Sequence, residues 1–234
     1  MTSLVITPQR SNVAQGKCAD WPTLWIAAAC LLVGCLSSAR SVRADVVRYR
    51  DVDGGEAVLV GSISDLTGRI VVVETEKGPT RRIDADRVTG VETTWDDERT
   101  VAQVQMASGE FANARALLER AVQKERRAWA RRQLMVDMAW CERELGNGRA
   151  CGELLLLVLQ SDPDAAVWEV APMTWAGKSL VSNDVATQWL ASSQPAAQLW
   201  GASALCQEEG RADAWERLES LARDANAIFS VRWL

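Results

Sequence analysis

The spacing of apolar residues changes near Thr94, and this change constrains the fold more than any other feature of the chain. Between Asp45 and Thr94 the sequence contains short runs rich in β-branched residues, separated by glycine-containing turns. After Thr94 the apolar residues recur at helical spacing. Short β-branched runs bounded by turn residues predict strands, and a period near 3.6 predicts helices. The sequence therefore predicts an α+β protein in which the strands precede the helices.

Five short strands are predicted in the first region. Gly61 lies in the middle of the second strand, where a glycine permits a sharp bend of the sheet. This arrangement resembles the small barrels of the Sm-like and Src-homology-3-like families, and the resemblance implies a small β-barrel over residues 45–94. Tyr49 is the only aromatic residue before Thr94 in this region, which favours a structural or docking role over a peptide-binding groove. The predicted strands are Val46–Arg50, Ala57–Ser64, Arg69–Thr75, Thr80–Ile83 and Val88–Thr93.

A pattern of glycine followed by small and apolar residues occurs twice in the helical region. Each unit begins with a glycine that ends one helix, and the next helix then presents apolar residues at offsets of 5, 9 and 12. The pattern resembles tetratricopeptide repeats, although Gly148 replaces the aromatic residue Phe111 of the first unit and the spacing exceeds the usual value of about 34. The resemblance implies an α-α solenoid of helical hairpins that binds other proteins. The two sets are Gly109, Ala114, Leu118 and Ala121, and Gly146, Cys151, Leu155 and Val158.

Further apolar stripes follow Pro163, which is expected to end the second unit. They predict short paired helices that loosely resemble HEAT-type or further tetratricopeptide hairpins. The predicted organisation is a signal segment at 1–44, a small β-barrel at 45–94, two tetratricopeptide-like repeats at 95–163 and further helical hairpins at 164–234. The stripes are Val167–Trp175, Val185–Ala191, Ala196–Cys206, Ala212–Ala222 and Ile228–Leu234.

The first 44 residues have the layout of a bacterial export signal. A basic leading region precedes an apolar run of about 13 residues, Leu24 to Leu36, and a polar stretch follows. A transmembrane helix needs about 20 apolar residues, so a lasting membrane span is disfavoured. The segment is therefore expected to direct export.

Two cleavage sites compete within this segment. Signal peptidase acting after Ala44 would make Asp45 the first residue of the mature chain. Alternatively, the four residues Leu-Val-Gly-Cys that end at Cys35 resemble a bacterial lipobox, and the resemblance implies lipidation of Cys35. The first alternative predicts a periplasmic or secreted protein. The second predicts a lipid anchor that associates the protein with a membrane of the envelope.

The composition limits the chemistry and the partners. The chain has no histidine, which excludes histidine-based zinc sites, catalytic triads and histidine general bases. Its formal net charge is -5, and removal of the basic leader makes the mature chain more acidic, which argues against a nucleic-acid partner. No glycine-rich phosphate loop or nucleophile elbow is present. We therefore predict a protein that is not an enzyme, with no catalytic residue, metal or cofactor.

One acidic cluster has both a functional and a structural interpretation. Asp96, Asp97 and Glu98 could form an acid-base or metal cluster. Acidic residues also favour the N-terminus of a helix, which Thr93 or Thr94 could cap. The capping interpretation is preferred because it requires no further ligand.

Three cysteines remain in the mature chain, namely Cys141, Cys151 and Cys206. They are interpreted as small buried side chains, since free cysteine is among the most buried residue types. Export permits disulfides, so a bridge between Cys141 and Cys151 on adjacent helices is the alternative.

The chain is rich in tryptophan, with eleven residues. Most are interpreted as core fillers between paired helices, and the alternative is a partner-binding face. Trp129 and Trp140 are eleven residues apart, as are Trp189 and Trp200, so each pair would lie near one face of a shared helix. The segment Ser192 to Pro195 is expected to break the second pair.

The segment from Lys124 to Arg132 is the strongest candidate for a binding patch. Basic residues alternate there with an aromatic residue, so the segment could contact an acidic partner or anionic headgroups. The alternative is a solvated helix end and connector. The candidate residues are Arg126, Arg127, Trp129, Arg131 and Arg132.

The leading functional hypothesis is an exported, non-enzymatic interaction scaffold that binds another protein of the bacterial cell envelope through its helical surface. The alternative is a module that binds peptidoglycan or another cell-wall polysaccharide through the barrel, with the helices as spacers. An enzyme is the third hypothesis, and the sequence offers no motif for it.

Overall fold

A computed structural model describes residues 44–76, 78–174, 179–206 and 208–223. Within these ranges the chain is α+β, as predicted, with five strands followed by seven helices. A short 3-10 helix (Ala85–Arg87) links the fourth and fifth strands. The strands are β1 (Asp45–Arg50), β2 (Glu56–Leu66), β3 (Ile70–Glu74), β4 (Arg81–Asp84) and β5 (Val88–Glu92), which confirms each predicted strand to within two residues at either end.

The five strands form one antiparallel sheet in the order β4-β3-β2-β1-β5, with β4 and β5 at its edges. β2 changes partner in its middle, because Glu56 to Gly61 pair with β1 whereas Ser62 to Leu66 pair with β3. A Cβ atom at Gly61 would lie only 2.4 Å from the backbone oxygen of Glu74. The predicted need for glycine at this bend is confirmed.

One face of the sheet carries its core. Apolar side chains alternate with exposed ones along β1 to β4, as expected when one face of a sheet is buried. Trp129, which comes from a helix, completes the core. The strand residues of this core are Val47, Ile63, Val71, Val73 and Ile83.

The helices follow the sheet without interruption by further strands in the described ranges. Consecutive helices pack together within two groups, the first four and the last three. None of the described helices has the length and apolar character that a membrane span requires. The helices are α1 (Asp97–Ala107), α2 (Phe111–Lys124), α3 (Ala128–Glu144), α4 (Gly148–Ser161), α5 (Asn183–Leu190), α6 (Pro195–Leu205) and α7 (Ala212–Arg223).

Hairpins α1–α2 and α3–α4 close with the same turn. Gly109 has a φ angle of 81° and Gly146 one of 79°. In the first hairpin, Gly109 N–H donates to Met106 O at 3.0 Å, and the next N–H donates to the carbonyl one residue earlier at 2.8 Å. Gly146 N–H donates to Arg143 O at 3.0 Å in the same pattern. Both turns are Schellman motifs, in which glycine adopts the left-handed conformation after the last helical turn.

The acidic cluster at the start of α1 is a helix cap. Asp96 accepts a hydrogen bond from Glu98 N–H at 3.0 Å. The capping interpretation is therefore confirmed, although the cap is Asp96 and neither Thr93 nor Thr94. Thr93 is engaged elsewhere, because its hydroxyl contacts the carboxylate of Asp45.

The predicted helix Val167–Trp175 is wrong over its described part, which consists of turns. Val167, Val170 and Ala171 are buried in the cluster between α4 and α6. This stretch is apolar because it fills the core, and Pro172 has no N–H to donate to a helix. The predicted helices around α5, α6 and α7 are confirmed, whereas Ile228–Leu234 lies outside the described residues.

The three cysteines in the described ranges are free thiols in two separate clusters. Cys141 packs with the residues between α1 and α3, whereas Cys151 belongs to the cluster that extends from α4 to α7. Cys206 is also buried and free. The interpretation as buried apolar side chains is confirmed, and the alternative bridge between Cys141 and Cys151 is absent from the structure.

Most of the tryptophans in the described ranges are buried or partly buried. Trp189 of α5 and Trp200 of α6 contact each other edge to face at 5.9 Å between ring centroids, and the predicted break between them is present. Trp129 and Trp140 do share α3, but Trp129 is buried and Trp140 is 46% exposed. The pair therefore does not form one apolar face.

Candidate functional site

The predicted basic patch divides between buried and exposed side chains. Trp129 is only 1% exposed, and its Nε1–H donates to the backbone oxygen of Ile63 at 2.9 Å. Arg126 and Arg131 are exposed, whereas Arg127 and Arg132 are partly buried. The structure therefore does not place the five residues on one open surface.

Arg132 connects the helices to the sheet. One guanidinium nitrogen, Nη2, donates to the Asp65 carboxylate and to the backbone oxygen of Leu66, both at 2.8 Å. Both acceptors belong to the end of β2. The charge of Arg132 is thus neutralised inside the protein.

Arg127 forms a second connection between helix and sheet. Its guanidinium donates to the Thr93 hydroxyl at 2.8 Å, the Thr94 backbone oxygen at 3.1 Å and the Glu125 carboxylate at 2.7 Å. The hydrogen bond with Glu125 raises the pKa of Arg127 and lowers that of Glu125. Asp45 lies 3.9 Å from the same guanidinium. Arg127 therefore connects the start of α3 to both ends of the sheet region, at Asp45 and at Thr93.

Aromatic contacts reinforce this junction. The rings of Trp95 and Trp129 meet edge to face at 5.7 Å. The guanidinium of Arg99 lies 3.5 Å from the centroid of the Trp95 ring, and that of Arg127 lies 5.0 Å from the Trp129 ring. Such cation–π contacts stabilise by about 0.5–2 kcal/mol each, depending on desolvation. These residues hold the sheet against the helices and are not available to a partner.

A cleft of about 790 Å³ lies beside this junction. One wall comes from the β2–β3 turn and the 3-10 helix, and the other from α3, α4 and the segment after α4. A volume between about 300 and 1,000 Å³ is typical of ligand sites. The apolar part of the lining includes Ile70, Val136, Val158, Ala165, Ala166 and Val167.

The β2–β3 turn is fixed against the segment after α4. Gly68 N–H donates to the Asp162 carboxylate at 3.0 Å, and Arg69 pairs with Asp164 at 2.7 Å. A Cβ atom at Gly68 would lie 1.8 Å from the backbone oxygen of Asp164. Only glycine permits this approach, so the two walls of the cleft are joined by direct backbone packing.

Five charged residues line the cleft, of which three have internal partners and two have none. Arg69 and Arg132 are paired as described above, and Asp162 accepts from two backbone N–H groups. Asp84, the last residue of β4, and Asp86, in the 3-10 helix, are exposed, and neither side chain makes a hydrogen bond or an ion pair with a described residue. Arg69 and Arg132 neutralise acidic groups of the protein, so the charge left for a ligand is negative.

The surface beside the cleft continues along α3. Gln133 and Val136 line the cleft, and Trp140 follows them at the next position of the same helical row. Residues at i, i+3 and i+7 lie on one side of a helix and span about 10 Å. Gln133 and Trp140 are both exposed. A row of one polar and two apolar side chains thus leads from the cleft to an accessible tryptophan.

The described residues contain no group of three or more metal-ligating side chains of the kind that holds an ion. Burial raises the pKa of the Cys141 thiol to about 11 and that of the Cys151 thiol to about 12, so both are neutral at physiological pH. A neutral buried thiol is a poor nucleophile. The lining of the cleft itself combines an apolar wall with acidic and polar groups.

Sequence reasoning missed this cleft. Its walls come from Asp84 and Asp86, from Gln133 and Val136, and from the segment after α4, which are far apart along the chain. No local period marks them. The available signals are the glycine-containing turn at Thr67 and Gly68 and the helix end at Pro163, and neither pattern indicates a cleft.

Searches of protein-family models, of curated proteins and of solved structures each gave no match to this chain.

Proposed function

We propose that the protein is an exported, non-enzymatic interaction scaffold of the bacterial cell envelope that binds a polypeptide segment in the cleft and along α3. The observation that carries the proposal is the cleft of about 790 Å³ with an apolar wall, which continues toward the exposed Trp140. Tryptophan is enriched among residues that dominate binding energy at protein interfaces. The proposal replaces the predicted patch by a neighbouring surface of the same helix.

The sheet is proposed to be a small barrel of the Sm-like or Src-homology-3-like kind. Three features support this assignment, namely the strand order, the change of partner at Gly61 and the 3-10 helix between β4 and β5. The single core of the sheet, to which Trp129 contributes, also favours it. In this proposal the barrel provides one wall of the binding cleft.

The first four helices are proposed to form two tetratricopeptide-like repeats at the start of a solenoid. The identical closing turns at Gly109 and Gly146 support this, as does the burial of Leu118 and Leu155 at the same offset from each glycine. Repeats of this kind stack and leave an extended surface for partners. The exposed row of α3 would belong to that surface.

Export is proposed to end with cleavage after Ala44. Asp45 begins β1, and its buried carboxylate accepts a hydrogen bond from Ile63 N–H at 2.8 Å. A mature chain that starts at Asp45 would retain every residue of the sheet. Lipidation at Cys35 remains the alternative proposal, since it also leaves the sheet intact.

The proposal is tested by site-specific photo-crosslinking in cells that export the protein. A photoreactive amino acid at Gln133, which is exposed and lines the cleft, is expected to give one discrete adduct with a protein. The same amino acid at exposed Thr89 on β5 is the matched control and is expected to give no such adduct. Trp140→Ala should weaken the adduct at Gln133 without a change in circular dichroism.

Two outcomes would contradict the proposal. Equal labelling from both positions would mean that α3 carries no specific surface. Recovery of cell-wall fragments alone would instead support the polysaccharide-binding alternative, in which the helices are spacers.

A further inference from the structure

The cleft has two carboxylates without a partner, Asp84 and Asp86, and their charge limits which occupants fit. Asp84 ends β4 and Asp86 lies within the 3-10 helix, so both stand on the sheet wall. Arg82 lies on the same side of β4 as Asp84, but it is not part of the lining. An occupant therefore meets acidic groups on one wall.

The opposite wall has a different character. Val136 and Val158 come from α3 and α4, and Val167 comes from the segment after α4. Val158 and Val167 are almost fully buried and support this wall from behind. In contrast, Val136, Ala165 and Ala166 are partly or fully exposed and provide its accessible apolar surface. An occupant must therefore present an apolar group to the helices and a cationic group to the sheet.

We infer that the cleft binds a partner polypeptide through a lysine or arginine side chain that contacts Asp84 and Asp86, with a neighbouring apolar side chain against the helical wall. The inference rests on the proposed function, since it names the chemistry of the partner at the same site. Lysine and arginine suit both walls because their aliphatic stems pack on apolar surface while the charged head stays in a polar setting.

Other occupants fit the cleft less well. Nucleic acids and anionic lipid headgroups carry phosphate groups, which the acidic wall would repel. A bare metal ion would find only two exposed carboxylates there, and the described residues hold no cluster of three ligands. A small amine would leave the row from Gln133 to Trp140 unused. A polypeptide uses the acidic wall, the apolar wall and this row together.

The test is selection of peptides from a random heptapeptide phage library on the purified chain beginning at Asp45. The selected peptides are expected to contain lysine or arginine next to an apolar residue. One of them is then synthesised, and its dissociation constant is measured by isothermal titration calorimetry at low and moderate salt. Affinity should fall with added salt, since exposed ion pairs are screened.

Charge variants locate the contact. The double variant Asp84→Asn/Asp86→Asn should weaken binding of the synthetic peptide about tenfold. The matched control Asp53→Asn/Glu56→Gln removes two exposed acidic charges from the β1–β2 region, away from the cleft, and should leave affinity within about twofold. Thermal unfolding of all variants confirms that they are folded.

The outcomes separate this inference from the function on which it rests. Selected peptides without cationic residues, or equal affinity for the cleft and control variants, would overturn the cationic occupant, whereas the proposed function is tested separately by the crosslink at Gln133. Enrichment of no peptide at all would overturn both proposals.

Discussion

The hairpins α1–α2 and α3–α4 close with the same turn, but they differ in what packs against their second helix. In the first hairpin, the partly exposed Arg115 of α2 pairs with the Glu142 carboxylate of α3. α4 instead lies against α5 and the segment before it. Its sequence changes at the points of contact, which shows how packing modifies a locally repeated pattern.

Two glycines of α4 occupy positions that hold large side chains in α2. Gly148 corresponds to Phe111, and a Cβ atom at Gly148 would lie 2.2 Å from the backbone oxygen of Leu180. Gly152 corresponds to Arg115, and a Cβ atom there would lie 2.4 Å from the ring of Trp189. The glycines at these two positions of α4 are thus explained by the residues that pack against them.

The largest effect is expected at these two glycines, where substitution by alanine should lower the free energy of unfolding instead of raising it. Alanine normally stabilises a helix relative to glycine by about 1 kcal/mol. Because Leu180 and Trp189 occupy the space, we expect Gly148→Ala and Gly152→Ala to lower the free energy of unfolding, by about 3 kcal/mol at Gly148. Urea unfolding of the mature chain, followed by circular dichroism, measures the change.

Gly109 and Gly146 provide matched controls for this prediction. No atom lies within 4 Å of a Cβ at either position, but both have positive φ angles. Alanine at either glycine should therefore lower the unfolding free energy by only about 1 kcal/mol. A Gly148→Ala variant with a higher free energy of unfolding would show that the backbone of Leu180 does not pack closely against Gly148.

The order of elements could be read from the sequence because each element follows a local rule. β-branched runs marked the strands, and glycine at 109 and 146 marked the ends of α1 and α3. The prediction of a helix from Val167 failed because this stretch is apolar as a result of burial and not of helical structure. Local patterns report that a side chain is buried but do not report which neighbour buries it.

The candidate site was harder to predict for a related physical reason. Trp129 and Arg127 look like a binding patch in the sequence, since an interface and an internal junction use the same residue types. Asp84 and Val136 gave no signal, because only the tertiary fold brings the 3-10 helix beside α3. A cleft between two packed regions has no sequence period of its own.

A smaller effect is expected from the contact that joins the two hairpins. Arg115 donates to the Glu142 carboxylate, which is almost fully buried and also accepts from Asn147 at 2.7 Å. Arg115→Met would leave this carboxylate with a single side-chain partner, so we expect a loss of about 1–2 kcal/mol in unfolding free energy. Chemical denaturation measures it.

An ion pair on α4 is the control for this contact. Arg149 and Glu153 are both more than half exposed and lie one helical turn apart. Arg149→Met should therefore change the unfolding free energy by less than about 0.5 kcal/mol. Equal losses in the two variants would mean that the contact between Arg115 and Glu142 is no stronger than a surface pair.

The smallest effect at neutral pH is expected where Cys151 stands in place of Ala114. Cys151→Ala gives α4 the residue that α2 has at this position. The substitution should lower the unfolding free energy by about 1 kcal/mol or less at pH 7. At alkaline pH the buried thiol of Cys151 lowers the free energy of unfolding. Burial raises the pKa of Cys151 to about 12 in the folded chain, whereas an unfolded thiol ionises near pH 8.5.

The sign of the pH effect follows from these two values. Above about pH 8.5 the unfolded chain loses the thiol proton while the folded chain keeps it, so ionisation stabilises the unfolded state and stability falls as the pH rises. Between pH 7.5 and pH 10 this thiol should contribute a loss of about 1–2 kcal/mol. Cys151→Ala is expected to show a correspondingly smaller loss in urea unfolding at the two pH values, whereas Ser161→Ala, which removes no titratable group, should follow the unmodified chain. An unchanged loss in Cys151→Ala would mean that water reaches this thiol and that burial does not raise its pKa.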